Sequence, residues 1–547
     1  MPPCVIYEDE HLLVVHKPAG WNTHRPGPYA GDGIYDWLRE GEPRWATLSI
    51  LHRLDKETSG VMVFGKTPAA NRSLTAQFTR REVRKKYLLL TDQPFPRREL
   101  TVKTALVRVG EKYRSRPPHA GAEIAETRFA VAAVHDRRQF SAPAKSPAVT
   151  DRRYSMISAE PLTGRTHQIR VHAAENGFPI LGDTLYGGTP AARVYLHAAE
   201  ISFAHPATNA TVRFGAPPDF DAHPALFLRS MLIDPAETNA FRLIHGSGDG
   251  HPGWYVDRLG DFLLSQAVRP LEAAQQQELM RLMKLFRLNG AHHKILSRQI
   301  GGTAATGISP QPALGEVAPE RFEVRENGAR FELSFNEGYS TGLFLDQRDN
   351  RRRLLTGHIA TDFVLPSPPA EGGRPEILNV FAYTCGFSVC AARAGAKTTS
   401  LDLSKKYLDW GRRNFELNGL DPAAHDFIYG DAFDWLRRLA GKKRGFDAVI
   451  LDPPTFSRSK EGGVFRVEKD WNRLIGAALP ILKPGGVLLV SSNAADWPPE
   501  KFIRDTELAT RAAGRKILQQ HYCAQPPDFP INRAEPAYLK TAWLKIS

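Results

Sequence analysis

The chain has 547 residues, 42% of them hydrophobic and 24% charged, with a formal net charge of +13. That length is more than one ordinary hydrophobic core can serve, so several domains are expected, and no apolar run reaches the roughly 20 residues of a membrane-spanning helix. Cys4, Cys385, Cys390 and Cys523 are too few and too scattered for a disulfide framework or a zinc cluster, so reduced thiols and no bound metal are expected.

Met1 to Glu10 show neither a basic leader nor an apolar h-region, which predicts a soluble, cytoplasmic protein. The positive charge suits a partner rich in phosphate, although solubility alone explains it equally well. In chain order, Leu12–Val15 and Gly60–Phe64 read as strands and Ala69–Phe78 as a helix. The first two hundred residues thus read as α+β with a dominant antiparallel sheet. Ala142–Val149, with two prolines, reads as a loop, and the Pro-rich stretch Ala216–Phe220 as a boundary. Beyond it, helices are expected at Ala225–Leu232 and Leu271–Phe286, with Met280 and Met283 of the second as core packing. From Ile377 the pattern alternates strand and helix, through Ile377–Val380, Ala448–Leu451 and Gly486–Val490, which predicts a mostly parallel sheet covered on both faces. The expected domains are 1–216, a small α+β unit over 222–335, and an α/β Rossmann-like unit over 336–547.

The sharpest motif is His52-Arg53-Leu54-Asp55-Lys56-Glu57-Thr58-Ser59-Gly60, a carboxylate among cations just ahead of a strand. Lys86-Tyr87 follows, then Pro161 to His172, Gly182-Asp183-x-x-Tyr186-Gly187, Leu196-His197-Ala198 and His205-Pro206. In this order they resemble the RluA-type pseudouridine synthases. The resemblance implies isomerisation of uridine in RNA with no cofactor, and Asp55 as the catalytic carboxylate, either nucleophile or proton acceptor. A neighbouring guanidinium would favour its charged form; Arg170 is the first choice and Arg165 the second. Tyr87 is expected to stack on an extruded uracil. Arg53, Arg80, Arg84, Lys86 and His167 are expected to bind RNA, the run Arg80 to Lys86 holding phosphates beside Tyr87. No S4-type RNA-binding domain is expected ahead of this pattern.

In the C-terminal half, Ile377–Val380 runs into Phe381-Ala382-Tyr383-Thr384-Cys385-Gly386, and a second strand ends on Asp402. A loop followed by an acid at that place suits a nucleoside cofactor, the acid accepting from ribose hydroxyls. Gly430-Asp431-Ala432-Phe433, Asn414-x-x-x-Asn418-Gly419 and Asp452-Pro453-Pro454-Thr455-Phe456 then resemble class I RNA methyltransferases of the RlmI and RlmK type, as do Tyr339 to Arg351 and the segment from Arg242 to Arg258. The resemblance implies S-adenosylmethionine held by Phe381, Tyr383, Gly386, Asp402, Asp431, Ala432 and Asp452, with Asp452 beside the reacting methyl group. Members that methylate C5 of cytosine add a cysteine to the ring. Here Ser491-Ser492-Asn493 follows the fifth strand, so N7 of guanine is favoured. No PUA domain is expected. The resulting expectation is a bifunctional enzyme acting on large-subunit rRNA, without a membrane or an obligate protein partner. The alternatives are an RNA-binding assembly factor in which only the synthase turns over, or tRNA as substrate.

Overall fold

The computed structural model describes residues 1–547 apart from 96, 119–122, 136–153, 297–308, 338–339, 367–372 and 460–462. Ala142–Val149 and Tyr339 lie outside the described residues. The chain divides into two units. Met1–Arg25, Asp32–Trp37 and Thr47–Asp234 form the first; Pro26–Gly31, Leu38–Ala46 and Pro235–Ser547 form the second.

The first unit is built on an 11-stranded sheet. Its strands are β1 (Val5–Glu8), β2 (Leu12–Lys17), β3 (Ser49–Ile50), β4 (Ser59–Gly65), β5 (Arg84–Thr91) and β6 (Glu99–Val109). β7 (Lys112–Arg116), β8 (Ile124–His135), β9 (Tyr154–Pro161), β10 (Leu196–Ala204) and β11 (Thr211–Gly215) complete it. The order is β1-β2-β4-β10-β5-β9-β8-β6-β7, with β3 on β4 and β11 on β10. Among the described residues of this sheet only β4 and β10 pair in parallel, so this is the antiparallel sheet that the alternating short strands predict. Helix α1 (Ile34–Gly41) runs from the residues of one unit into those of the other, while α2 (Pro68–Thr79), α3 (Gln168–Glu175) and α4 (Pro224–Leu232) belong to the first.

The boundary differs from the expected one. The first unit continues past residue 216 to Asp234 because α4 buries Leu228 and Leu232, and because Met231 accepts a hydrogen bond from the Cys4 backbone N–H at 2.9 Å. A Pro-rich turn marks a change of direction, and only the burial of the next helix shows which core it serves.

The second unit begins with a five-stranded sheet, β12 (Ala240–His245), β13 (Trp254–Leu259), β14 (Phe262–Ala267), β15 (Gly290–Ile295) and β16 (Gln311–Gly315), with α5 (Ala273–Phe286) between β14 and β15. In α5, Leu279 and Leu282 are buried, but Met280 is 50% exposed, which corrects its expected core role. Then come the hairpin β17 (Phe322–Glu326) and β18 (Ala329–Leu333), helix α6 (Arg348–Thr356), and the short pair β19 (His358–Ala360) and β20 (Phe363–Val364).

The alternating region follows as β21 (Glu376–Val380), α7 (Gly386–Arg393), β22 (Lys397–Asp402), α8 (Lys405–Leu417), β23 (Asp426–Tyr429), α9 (Ala432–Gly441) and β24 (Phe446–Leu451). After the hairpin β25 (Phe456–Ser459) and β26 (Gly463–Arg466) come α10 (Val467–Ala478), β27 (Leu482–Ser492), α11 (Pro499–Ala512), β28 (Ile517–Cys523) and β29 (Lys540–Ile546). The seven strands lie in the order β23-β22-β21-β24-β27-β29-β28, with β29 antiparallel to both its neighbours.

Both faces of this sheet are buried. Ile377, Ile450 and Leu489 enter one core while Leu378, Val449 and Leu488 enter the other, which is why these strands read as continuous apolar runs. The first of those cores also takes Leu259, Phe262 and Leu264 from the five-stranded sheet, so the expected domains 222–335 and 336–547 share side chains and fall in one unit.

Candidate active sites

In the first unit, Asp55 sits in the loop ahead of β4, where its carbonyl accepts from the Thr58 N–H at 3.1 Å. Two neighbours pin that loop. Thr23 Oγ1 donates to the Leu54 carbonyl at 2.8 Å and accepts from the Leu54 N–H at 3.1 Å. Lys17 is buried at the end of β2 and donates to the carbonyls of Pro18, Trp21 and Lys56 at 2.9, 2.7 and 3.2 Å. Burial pulls its ammonium down to about 7. No motif in the sequence analysis singled out Lys17; a lone cation closing an apolar strand is the signal that could have done so.

Arg170 lies on α3 with its side chain 6% exposed. Its Nε and Nη2 donate to the two carboxylate oxygens of Asp183 at 2.6 and 2.8 Å, and its Nη1 lies 3.7 Å from Asp55 Oδ2. Asp183 thus locks the guanidinium so that one nitrogen remains directed at Asp55. Arg165, the second choice, is not at this carboxylate: its Nη1 pairs with Glu123 at 2.9 Å. α3 carries Arg170 inward, whereas Arg165 precedes the helix.

His167 caps α3 in the left-handed conformation (φ 56°) and brings Nε2 to 3.9 Å from Asp55 Oδ2. Its Nδ1 lies 2.8 Å from the Tyr186 hydroxyl, which accepts from the Tyr113 N–H at 3.0 Å. In the tautomer where the Tyr186 hydroxyl donates to Nδ1, the imidazole carries its own proton on Nε2, facing Asp55. Burial holds the ring's pKa below its ordinary value, which keeps it neutral.

Tyr87 is on β5 opposite Ala159 of β9 and Ala198 of β10. Burial, and then the charge of Asp55, push its phenol upward. Strand alternation corrects the expected phosphate contacts beside it. Arg84 and Lys86 are exposed on one face of β5, while Lys85 and Tyr87 share the other. Arg80 is exposed and pairs with Glu82 at 3.1 Å. Arg53 is exposed and donates from Nη2 to Thr166 Oγ1 at 2.9 Å. A cavity of about 470 Å³ opens at Asp55, His167, Arg170, Asp183 and Arg193. Behind it His16, His197 and Asp219 cluster closely enough to suggest a cation site, but Arg193 Nη1 already lies 2.7 Å from Asp219, and a fixed guanidinium repels a cation.

In the second unit, Phe381, Tyr383 and Cys385 all have positive φ (62°, 49° and 63°). Alternating left-handed residues curl a backbone so that its N–H groups converge, which lets a loop with a single glycine cradle a ligand. Gly386 opens α7, and a Cβ there would stand 3.3 Å from Leu343 and 3.5 Å from Arg351. Asp402 ends β22; its oxygens accept from the Tyr383 and Ser404 N–H groups at 2.8 Å each, and burial raises its pKa. The carboxylate retains lone-pair capacity for a ribose hydroxyl. Asp431 caps α9 through Oδ1, which accepts from the Phe433 and Asp434 N–H groups at 3.0 and 3.2 Å, and Ala432 begins the helix behind it. These residues fit a nucleoside with an extended amino-acid tail.

Asp452 follows β24, its carboxyl pushed up to about 6 by burial and then by Asp346. Gln347 Nε2 donates to Ser491 Oγ at 2.8 Å beside it. Asp346 accepts from the Tyr538 hydroxyl at 3.0 Å and is itself raised by burial. Asp346 and Gln347 lie in the segment Tyr339 to Arg351, but the resemblance assigns neither a role. All four cysteines are buried, and burial pushes Cys385 and Cys390 up to about 12.

Comparison with known proteins agrees with both halves. Residues 11–175 match the RNA pseudouridylate synthase family model, and residues 289–544 match that of the S-adenosylmethionine-dependent methyltransferases. The chain is 35% identical over 335 residues to a ribosomal RNA large subunit methyltransferase of Deinococcus radiodurans, covering 59% of this chain and 77% of that protein. It is 33% identical over 321 residues to ribosomal RNA large subunit methyltransferase I of Klebsiella pneumoniae, covering 57% and 75%. A solved putative SAM-dependent methyltransferase from Streptococcus mutans is 30% identical, covering 59% of this chain and 78% of that one, with a TM-score of 0.49. The chain belongs to the S-adenosylmethionine-dependent ribosomal RNA large subunit methyltransferase family and carries, ahead of that part, an RNA pseudouridylate synthase domain.

Proposed function

We propose that this protein is a bifunctional RNA-modifying enzyme that converts uridine to pseudouridine and methylates a base, with large-subunit rRNA as substrate for both. The observation that carries the first activity is Asp55, a part-exposed carboxylate at a cavity mouth, with Arg170 at 3.7 Å and His167 at 3.9 Å. In the isomerisation the N1–C1′ bond breaks, the uracil turns, C5 bonds to C1′, and a proton leaves C5 while N1 gains one. Asp55 acts at the ribose or base, as nucleophile or as proton acceptor. Arg170 faces it with one guanidinium nitrogen, and Tyr87 stacks on the turned base. Arg53 and His167 lie where the flanking RNA would pass.

In the second unit, the curled loop at Phe381, Tyr383 and Gly386 holds the amino-acid end of S-adenosylmethionine. Asp402 accepts from its ribose, and Asp431 and Ala432 border its adenine. When bound, the cofactor supplies an electrophilic methyl group on a sulfonium. Asp452 and Ser491 border the receiving base. Attack by cytosine C5 calls for a thiolate, and burial keeps the Cys385 and Cys390 thiols protonated, which favours guanine N7 as the acceptor.

The test is incubation of the full-length protein with an unmodified large-subunit rRNA transcript and labelled S-adenosylmethionine, followed by nucleoside analysis. Pseudouridine and 7-methylguanosine are both expected. Asp55→Ala should remove only the first and Asp452→Ala only the second. Wild-type protein that makes neither, or a single substitution that removes both, rejects the reading; 5-methylcytosine would reject the acceptor assignment alone.

A further inference from the structure

Among the described residues β7 is an edge strand of the 11-stranded sheet, and its two faces differ in kind. Lys112, Arg114 and Arg116 are exposed on one face and stand directly across from Val109, Val107 and Ala105 of β6. None of the three has an ion-pair partner among the described residues. Glu126, which shares that face, lies 3.6 Å from Lys103, directly across from it on β6. Like charges in one row repel each other, so the row opposes folding instead of aiding it.

The edge itself is closed to another strand. The N–H of Tyr113 donates to the Tyr186 hydroxyl and that of Ser115 to Glu175 Oε1, both at 3.0 Å. These are the backbone groups that an added strand of a partner protein would need. What remains open is a row of three cations about 7 Å apart, two residues of strand each. Such a spacing suits successive phosphates of an extended nucleic-acid strand. On the opposite face, the Tyr113 ring packs edge-on against His167 at 5.5 Å between centroids, so this strand supports the imidazole facing Asp55.

We propose that the outward face of β7, on the side of the sheet away from Tyr87, is a cradle for a stretch of the substrate RNA's phosphodiester backbone remote from the target uridine, gripped by Lys112, Arg114 and Arg116. The proposal rests on reading the first unit as a uridine isomerase acting on RNA. Its occupant is RNA and not a protein segment, because the row offers charge without a free backbone edge.

The experiment measures binding of full-length protein to an unmodified single-stranded rRNA fragment while salt rises from about 50 to 200 mM. Each phosphate held on a single strand contributes about 0.7 to the slope of log affinity against log salt. The variant Lys112→Gln/Arg114→Gln/Arg116→Gln should therefore have a slope flatter by about 2. Over this fourfold salt range, wild type should lose about 20-fold more affinity than the variant. Arg114→Lys/Arg116→Lys should keep the wild-type slope, and each single Gln substitution should flatten it by about 0.7. Parallel slopes for wild type and the Gln variants, in a protein that forms pseudouridine in an Asp55-dependent way, overturn the cradle alone. A wild type that forms no pseudouridine overturns the isomerase reading and the cradle with it. Loss of binding to a polyglutamate peptide, with RNA binding unchanged, would reassign the row to an acidic protein.

Discussion

Arg170 serves two carboxylates at once, holding Asp183 with two nitrogens and facing Asp55 with the third. Lysine has one point charge and cannot do both. Arg170→Lys should therefore lower pseudouridine formation by about 100-fold or more, leave methylation unchanged, and cost about 1.5–3 kcal/mol of stability in the first unit through the weakened buried pair with Asp183. Thermal unfolding and nucleoside analysis of one preparation check both; a variant at full rate would mean that the guanidinium does not serve Asp55. The motif containing Arg170 was legible in the sequence, and so was the preference for Arg170 over Arg165. The locking acid was not. Asp183 and Tyr186 stand in a motif that the resemblance names, but their work depends on a turn well beyond α3 folding back beneath it.

Strands were legible where they are apolar and obscure where they are charged. β4 and β21 announce themselves as apolar runs, whereas β5 begins in Arg84-Lys85-Lys86, which reads as a basic patch. A strand alternates whatever its side chains, so the patch splits: Lys85 goes with Tyr87, and Arg84 and Lys86 go to the other face. The glycine closing the Asp55 motif gains its reason at this scale. Gly60 has φ 121°, and a Cβ there would lie 2.2 Å from the Ala198 carbonyl oxygen, at the parallel pairing of β4 with β10. Gly60→Ala should separate these strands beside the active-site loop and cost about 3 kcal/mol or more. A thermal midpoint within a degree or two of wild type would show that the pairing yields at little cost.

Besides His167, three histidines of the first unit are held neutral by burial: His16 and His172 fall to about 4 and His52, with help from Lys85, to about 3. Their folded pKa values lie below the unfolded one, so the unfolded chain binds more protons between about pH 6.5 and 4. Stability is thus greatest above about pH 6.5 and falls as pH drops through that window. Unfolding at about pH 5 should take up roughly three protons through these groups, measurable by calorimetry in buffers of different ionisation enthalpy. An uptake near zero would mean that the rings are solvated.

Residue order by itself determined the two enzyme classes and the antiparallel and parallel sheets, because motif spacing and hydrophobic period are local properties of the chain. The tertiary structure alone decided that α4 joins the first unit, that the five-stranded sheet and one face of the seven-stranded sheet share a core, that Arg165 turns to Glu123, and which face of β5 or β7 each cation occupies. Those outcomes depend on which surfaces meet. Contact between residues distant in sequence is set by packing, and leaves no period in the sequence to read.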